Sequence, residues 1–173
     1  VGALSSYHND FLYKQVNSPR SYDIVLYGSG LETEKLEGKV DYKGFVSSDE
    51  LIATAEGEYG LAWYGSSLEG GSGALGEYLQ YNAPHKMSLY IRCGLPIIVW
   101  EKAGLAPFVK KNNVGICISS LTELEDILPK ISAGQYMEMK KNVLQIADKL
   151  SHGYYCFKAI KQACADLGGE IKG

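Results

Sequence analysis

Residues 81–100 read YNAPHKMSLYIRCGLPIIVW. The order of signals in this stretch is loop, helix start, short helix, glycine stop and buried strand. Asn82 is suited to cap a helix, because its side chain accepts hydrogen bonds from orphan backbone N–H groups. Pro84 suits the first turn, where its missing N–H costs nothing. Met87, Tyr90 and Ile91 recur at helical spacing. Gly94 ends the helix, since a left-handed residue is cheapest without a Cβ. Residues 95–100 are then an apolar run of the kind buried on both faces in a central parallel strand. His85 and Lys86 fall in the first helical turn. A cation there opposes the helix dipole, which favours anions at that end. A helix N-terminus joined to a lysine is a good place to hold a phosphate.

The flanks repeat the pattern. Residues 22–27 (YDIVLY), 40–46 (VDYKGFV), 59–64 (YGLAWY) and 114–119 (VGICIS) read as strands, and Val1 to Leu4 as a strand end. Helices are expected over residues 10–16, 47–55, 103–111, 121–131, 135–150 and 154–167. Ser47 with Glu50 forms a capping-box pattern and Ser120 is the next cap. Met139, Val143, Ile146 and Leu150 share one helix face. Strands alternating with helices imply βαβ units and a parallel sheet. The expectation is one α/β domain over residues 1–173. Its core is a Rossmann-like doubly wound parallel sheet of about five to six strands, followed by C-terminal helices. In such a sheet the ligand cleft lies at the strand C-termini, here the loops 5–9, 28–30, 65–76 and 101–105.

Composition narrows the class. The 173 residues are 46% hydrophobic, ordinary for a globular domain with a real core. A net charge of −3 gives no electrostatic case for nucleic acid. Cys93, Cys117, Cys156 and Cys164 are scattered without a C-x-x-C pair. Cys93 and Cys117 read as buried thiols, and a reducing cytoplasm fits best. No apolar run reaches the roughly 20 residues that span a bilayer, and no signal peptide is visible. A start at Val1-Gly2 reads as a fragment. Thirteen tyrosines against four phenylalanines leave many rings with a polar tip, as clefts and interfaces use.

Several runs together resemble the C-terminal, donor-binding domain of GT-B glycosyltransferases. The similar group is bacterial, comprising glucosyltransferase 3 type and β-1,6-galactofuranosyltransferase-like proteins. The runs are Trp63-Tyr64-Gly65, Gly76-Glu77-Tyr78, Tyr81 through Tyr90, Gly94 through Trp100, Gly104-Leu105-Ala106, Phe108-Val109 and Asn113-Val114-Gly115. Gly2-Ala3-Leu4-Ser5 and Gly44-Phe45 extend the similarity over nearly the whole chain, and the N-x-P-H-K-x-S run is its most specific part. The resemblance implies one half of a two-domain enzyme. An N-terminal half would carry the acceptor contacts and the general base, and the last helix would cross back to it.

On that reading Lys86 meets the diphosphate of a UDP-sugar and stabilises the departing UDP, its charge and the helix N–H groups taking the place of a metal. Asn82 contacts phosphate or ribose, or only caps the helix. Ser88 donates to phosphate, or only packs. Tyr64 stacks on uracil or contacts the sugar, or packs at the rim. His85 is the weaker neighbour, without a second histidine at ligand spacing. Pro84, Gly65 and Ser5 complete the donor-binding set. Enzymes of the resembling kind place a basic residue near Ser5 and Ser6, and along this chain none follows until Lys14. Residues 71–76 match G-x-G-x-x-G, but the long loop before them and Pro84 after them favour a flexible donor loop. There is no D-x-D motif, and counting an E-x7-E pair from Glu77 lands on His85. No metal and no permanently bound cofactor is therefore expected, and stereochemistry is unassigned. The chain alone should bind nucleotide weakly and turn nothing over. An acceptor glycan or glycoprotein would be met through the other half. Peripheral association with the inner membrane face and a homo-oligomer both remain open. Rival readings are a nicotinamide-dependent oxidoreductase domain and a non-catalytic interaction module.

Overall fold

The structure is a computed structural model, and it describes residues 1–168. In chain order it runs β1 (Gly2–Ala3), α1 (Ser6–Asn17), β2 (Val25–Leu26), β3 (Gly28–Ser29) and β4 (Asp41–Tyr42). Next come α2 (Ser48–Thr54), β5 (Gly60–Ala62), α3 (Gly73–Tyr78), α4 (His85–Arg92), β6 (Ile97–Trp100) and α5 (Ala106–Asn112). The chain closes with β7 (Gly115–Ile118), α6 (Leu124–Ile127), α7 (Ala133–Ser151) and α8 (Tyr154–Asp166).

Among the described residues every strand pair is parallel, and the pairs form three small sheets: β1 with β3, β2 with β4, and β5-β6-β7. The expected α/β architecture is present, but the ladders do not join into one sheet of five to six strands. Residues 25–29 are nearly continuous, with β4 on one side and β1 on the other. Between this group and β5 lies a cavity of about 910 Å³ bordered by Leu4, Leu26, Leu61, Trp63 and Ile98. It separates the two groups of strands. Gln15 lines it, with its Nε2 donating to the Tyr22 hydroxyl and its Oε1 unpartnered.

Strand β6 is the centre of the larger sheet. All four of its residues are buried, Ile97 and Val99 completely. Gly94 takes a left-handed φ of 72°, as the helix stop requires. Met87 and Ile91 of α4 pack with Val143 and Ile146 of α7 under this sheet. The α7 N-terminus carries a complete capping box, with Ser132 and Gln135 bonded reciprocally.

Other elements depart from expectation. Residues 121–131 are a 3-10 turn, the single turn α6, and a second 3-10 turn at Leu128–Lys130. Pro129 has no N–H to continue an α-helix. The α5 helix begins at Ala106 rather than residue 103, where Gly104 presses against the carbonyl of Gln80. Cys93 and Cys117 are half-buried rather than buried, and all four cysteines are unpaired. The glycine stretch 65–76 is tightly packed. Glycines 71 and 76 touch backbone to backbone beneath Trp100, and Gly73 opens α3. Trp63 donates to the carbonyl of Ser67, and Leu121 N–H to that of Leu68, pinning the rest. Among the described residues no helix is long and apolar enough to cross a membrane.

A Cβ at position 71 would lie 2.3 Å from the Gly76 carbonyl oxygen and 2.9 Å from the Trp100 ring. Gly71→Ala is therefore expected to destabilise the fold by about 1–3 kcal/mol. Gly134→Ala, in the first turn of α7 with no neighbour closer than 4.0 Å, should be neutral or stabilise by up to about 1 kcal/mol. Thermal unfolding of the two variants checks the contrast, and equal melting temperatures would refute it.

Candidate functional site

Helix α4 begins at His85, one residue after a buried Pro84 in extended conformation. Proline has no donor and no capping side chain, and the first turn of α4 receives no side-chain hydrogen bond. Asn82 is not the cap expected from the sequence. Its backbone N–H bonds to the Tyr78 carbonyl at the end of α3, and it stands half-buried before the helix. Met87 N–H bonds to the Pro84 carbonyl, while the dipole and the N–H groups of His85 and Lys86 meet no capping side chain.

Lys86 rises beside that open end. Its ammonium lies 4.4 Å from the centre of the Tyr64 ring, at the end of the β5 segment. Its stem runs along β1, where a Cβ on Gly2 would come within 3.3 Å of the lysine Cε. Among the described residues no carboxylate or carbonyl pairs with the ammonium. Loss of solvent pushes its pKa down from 10.5 to about 8. Burial pushes the Tyr64 phenol up, so the ring beneath the lysine stays neutral.

The remaining predicted residues divide. Gly65 follows Tyr64 with φ 103°, where a Cβ would meet the Ser72 carbonyl at 2.3 Å, and its own carbonyl accepts from Phe11 N–H of α1. Ser5 caps α1 and also donates to Glu32 Oε1 at 3.2 Å. His85 is exposed beside Lys86. Ser88 is exposed two residues after Lys86, about 200° around the helix, and is not brought to the lysine. Among the described residues no three His, Cys, Asp or Glu side chains gather as metal ligands.

Glu32 and Lys35 carry no signal in the sequence reading, yet they define the neighbouring loop. Helix α1 starts at Ser6, not residue 10, with a kink at Asn9 where its amide donates to the Ala3 carbonyl. The Glu32 carboxylate accepts from Ser6 N–H at 2.8 Å and from the Ser6 hydroxyl at 3.0 Å. Lys35 pairs with Glu32 and donates to Ser6 Oγ at 2.7 Å. These bonds hold the Glu32 carboxyl down at about 2, the Lys35 bond contributing most. The cation near Ser6 thus comes from the following loop, while Lys14 turns to the Ser66 carbonyl and Asp10. The i,i+3 spacing of Glu32 and Lys35 was the one available hint.

The open helix end, the desolvated lysine and the glycine-rich loop beside it are contained in one matching family model. That model is the glucosyltransferase 3-like, C-terminal domain, and it covers residues 2–163. The chain belongs to this family. Among curated relatives of this glucosyltransferase 3-like domain is the β-1,6-galactofuranosyltransferase WbbI of Escherichia coli (strain K12). It is 32% identical over 170 residues, 96% of this chain and 49% of that protein. Glucosyltransferase 3 of Streptococcus gordonii is 28% identical over 137 residues, 79% of this chain and 40% of that protein. Glucosyltransferase 3 of Streptococcus parasanguinis is 20% identical over 143 residues, 82% and 41% respectively. The chain spans about half the length of the curated relatives it matches.

The lysine of this glucosyltransferase 3-like domain should titrate with a midpoint of about 8 instead of 10.5, read by NMR at its side chain. Between those values the unfolded chain binds more protons here than the folded one, so the lysine's contribution to stability rises with pH. A midpoint near 10.5 would contradict the desolvated placement.

Proposed function

We propose that the chain is the nucleotide-sugar-binding domain of a glycosyltransferase, one Rossmann-like half of a GT-B enzyme. Its three small sheets read as parts of one doubly wound sheet ordered β4, residues 25–29, β1, β5, β6, β7. The cleft is the rim where β1 and β5 end and α1 and α4 begin. The donor is a UDP-hexose, with UDP-glucose and UDP-galactofuranose first, in keeping with the glucosyl and galactofuranosyl names of the relatives. An acceptor glycan or glycoprotein would be met together with the other half of a full-length enzyme. The four unpaired cysteines suit the reducing cytoplasm.

One observation carries the reading. The α4 N-terminus is open and Lys86 stands beside it without an anionic partner. The α1 N-terminus already holds the Glu32 carboxylate, and α7 holds its own Gln135. The starts of α3, α5 and α8 also lack a side-chain cap, but only α4, among the described helices, carries a lysine in its first turn. A diphosphate there would take N–H donors from α4 and the ammonium of Lys86. As the glycosidic bond to UDP breaks, negative charge grows on the leaving phosphate oxygen. Fixed donors and a poorly solvated cation stabilise that charge more than water would. In this reading the leaving-group charge is met by the lysine without a metal, and Asn82, His85 and Tyr64 line the approach.

Calorimetric titration of the chain with UDP is expected to show binding that Lys86→Ala weakens by about 10- to 100-fold, the weight of one charge-assisted hydrogen bond. Affinity should fall as pH rises above about 8, because only the protonated lysine attracts the diphosphate. In Lys86→Ala this decline should disappear. Unchanged UDP affinity in the variant, or tighter binding of NADH than of UDP, would overturn the proposal.

A further inference from the structure

Lys86 presents a problem of chemical logic. It is half-buried and charged below its lowered pKa, yet no oxygen of the described residues accepts its hydrogens. A carboxylate at this point would satisfy it, but would also fill the anion seat and repel a phosphate. The structure offers a ring face instead. The Tyr64 ring centre lies 4.4 Å from the ammonium nitrogen. A ring quadrupole attracts a cation without hydrogen-bonding or neutralising it. On the β1 side, Gly2 leaves just enough room for the lysine stem, since a methyl group there would sit 3.3 Å from the lysine Cε.

We infer that Tyr64 is a positioning residue whose ring face, not its hydroxyl, holds Lys86 at the open end of α4. The inference rests on the nucleotide reading above for its purpose, though not for its geometry. Three elements meet in this one contact: β1 through Gly2, the β5 end through Tyr64, and α4 through Lys86. The ring keeps the ammonium aimed and its donors free, so an incoming diphosphate finds them unpaired. It also changes the role expected for Tyr64. The ring face that carries the lysine is not free to stack on uracil.

The test uses Tyr64→Phe, which keeps the ring, and Tyr64→Leu, which removes it. In the ligand-free chain, the ring current should displace the Lys86 ε-methylene proton resonance upfield. The displacement should persist in Tyr64→Phe and vanish in Tyr64→Leu. UDP affinity in Tyr64→Phe should stay within about twofold of the parent, and in Tyr64→Leu fall by about five- to tenfold. Placed on Lys86→Ala, Tyr64→Leu should cost no further affinity, which a purely structural role would not predict. An undisplaced ε-methylene in the parent chain overturns the inference, as does parental UDP affinity in Tyr64→Leu. Retained UDP affinity in Lys86→Ala would instead remove the nucleotide reading, and the ring-current result would still decide the placement of Lys86. Should Tyr64→Leu fail to fold, the parent and Tyr64→Phe spectra decide it.

Discussion

Strand β6 is paired on both edges and covered on both faces, and most of the domain follows from that. A strand in this position must be apolar throughout, and residues 97–100 are. Its parallel neighbours β5 and β7 can be reached only through crossovers, which places α4 and α5 against the sheet. Those crossovers bring the starts of α4 and α5 to the rim past the C-terminal ends of β5 and β6.

The helix starts differ in how their positive ends are answered. Glu32 answers α1 from a distant loop and draws Ser5, Ser6 and Lys35 into one network. Gln135 answers α7 locally. Pro84 at the head of α4 brings no capping side chain, its carbonyl accepting only from Met87 N–H, and Lys86 adds positive charge where the dipole already disfavours it. Such an arrangement costs stability in the ligand-free chain, and sites that store cost of this kind are typical of function.

How much of this was legible depended on the range of the interactions. The helix, glycine stop and strand of residues 85–100 were readable because their signals are local and periodic. The α7 helix was readable for the same reason, and its capping box lies within four residues. The two-residue strands β1 to β4 were too short for periodicity to bound them. The cation near Ser6 could not be found because Lys35 arrives from 29 residues away. The glycines at 71 and 76 suggested mobility, whereas their purpose is the close approach of two backbones under Trp100. Asn82 has the chemistry of a cap, but Pro84 starts the helix too late for it. Lys86 was recognisable from its odd position; the aromatic ring beside it lies just past β5, 22 positions upstream by sequence numbering.

Helix α8 follows a different rule from the rest of the chain. None of its residues is buried, and Phe157 and Ile160 are more than half exposed. It is fastened mainly through Tyr155, which meets Phe108 edge-on. A helix with so little tertiary support opens at a lower free energy than the core does. Its amides would exchange with deuterated solvent before those of α4 or β6, so the domain unfolds in two tiers. The outer tier can order or loosen without disturbing the sheet beneath it.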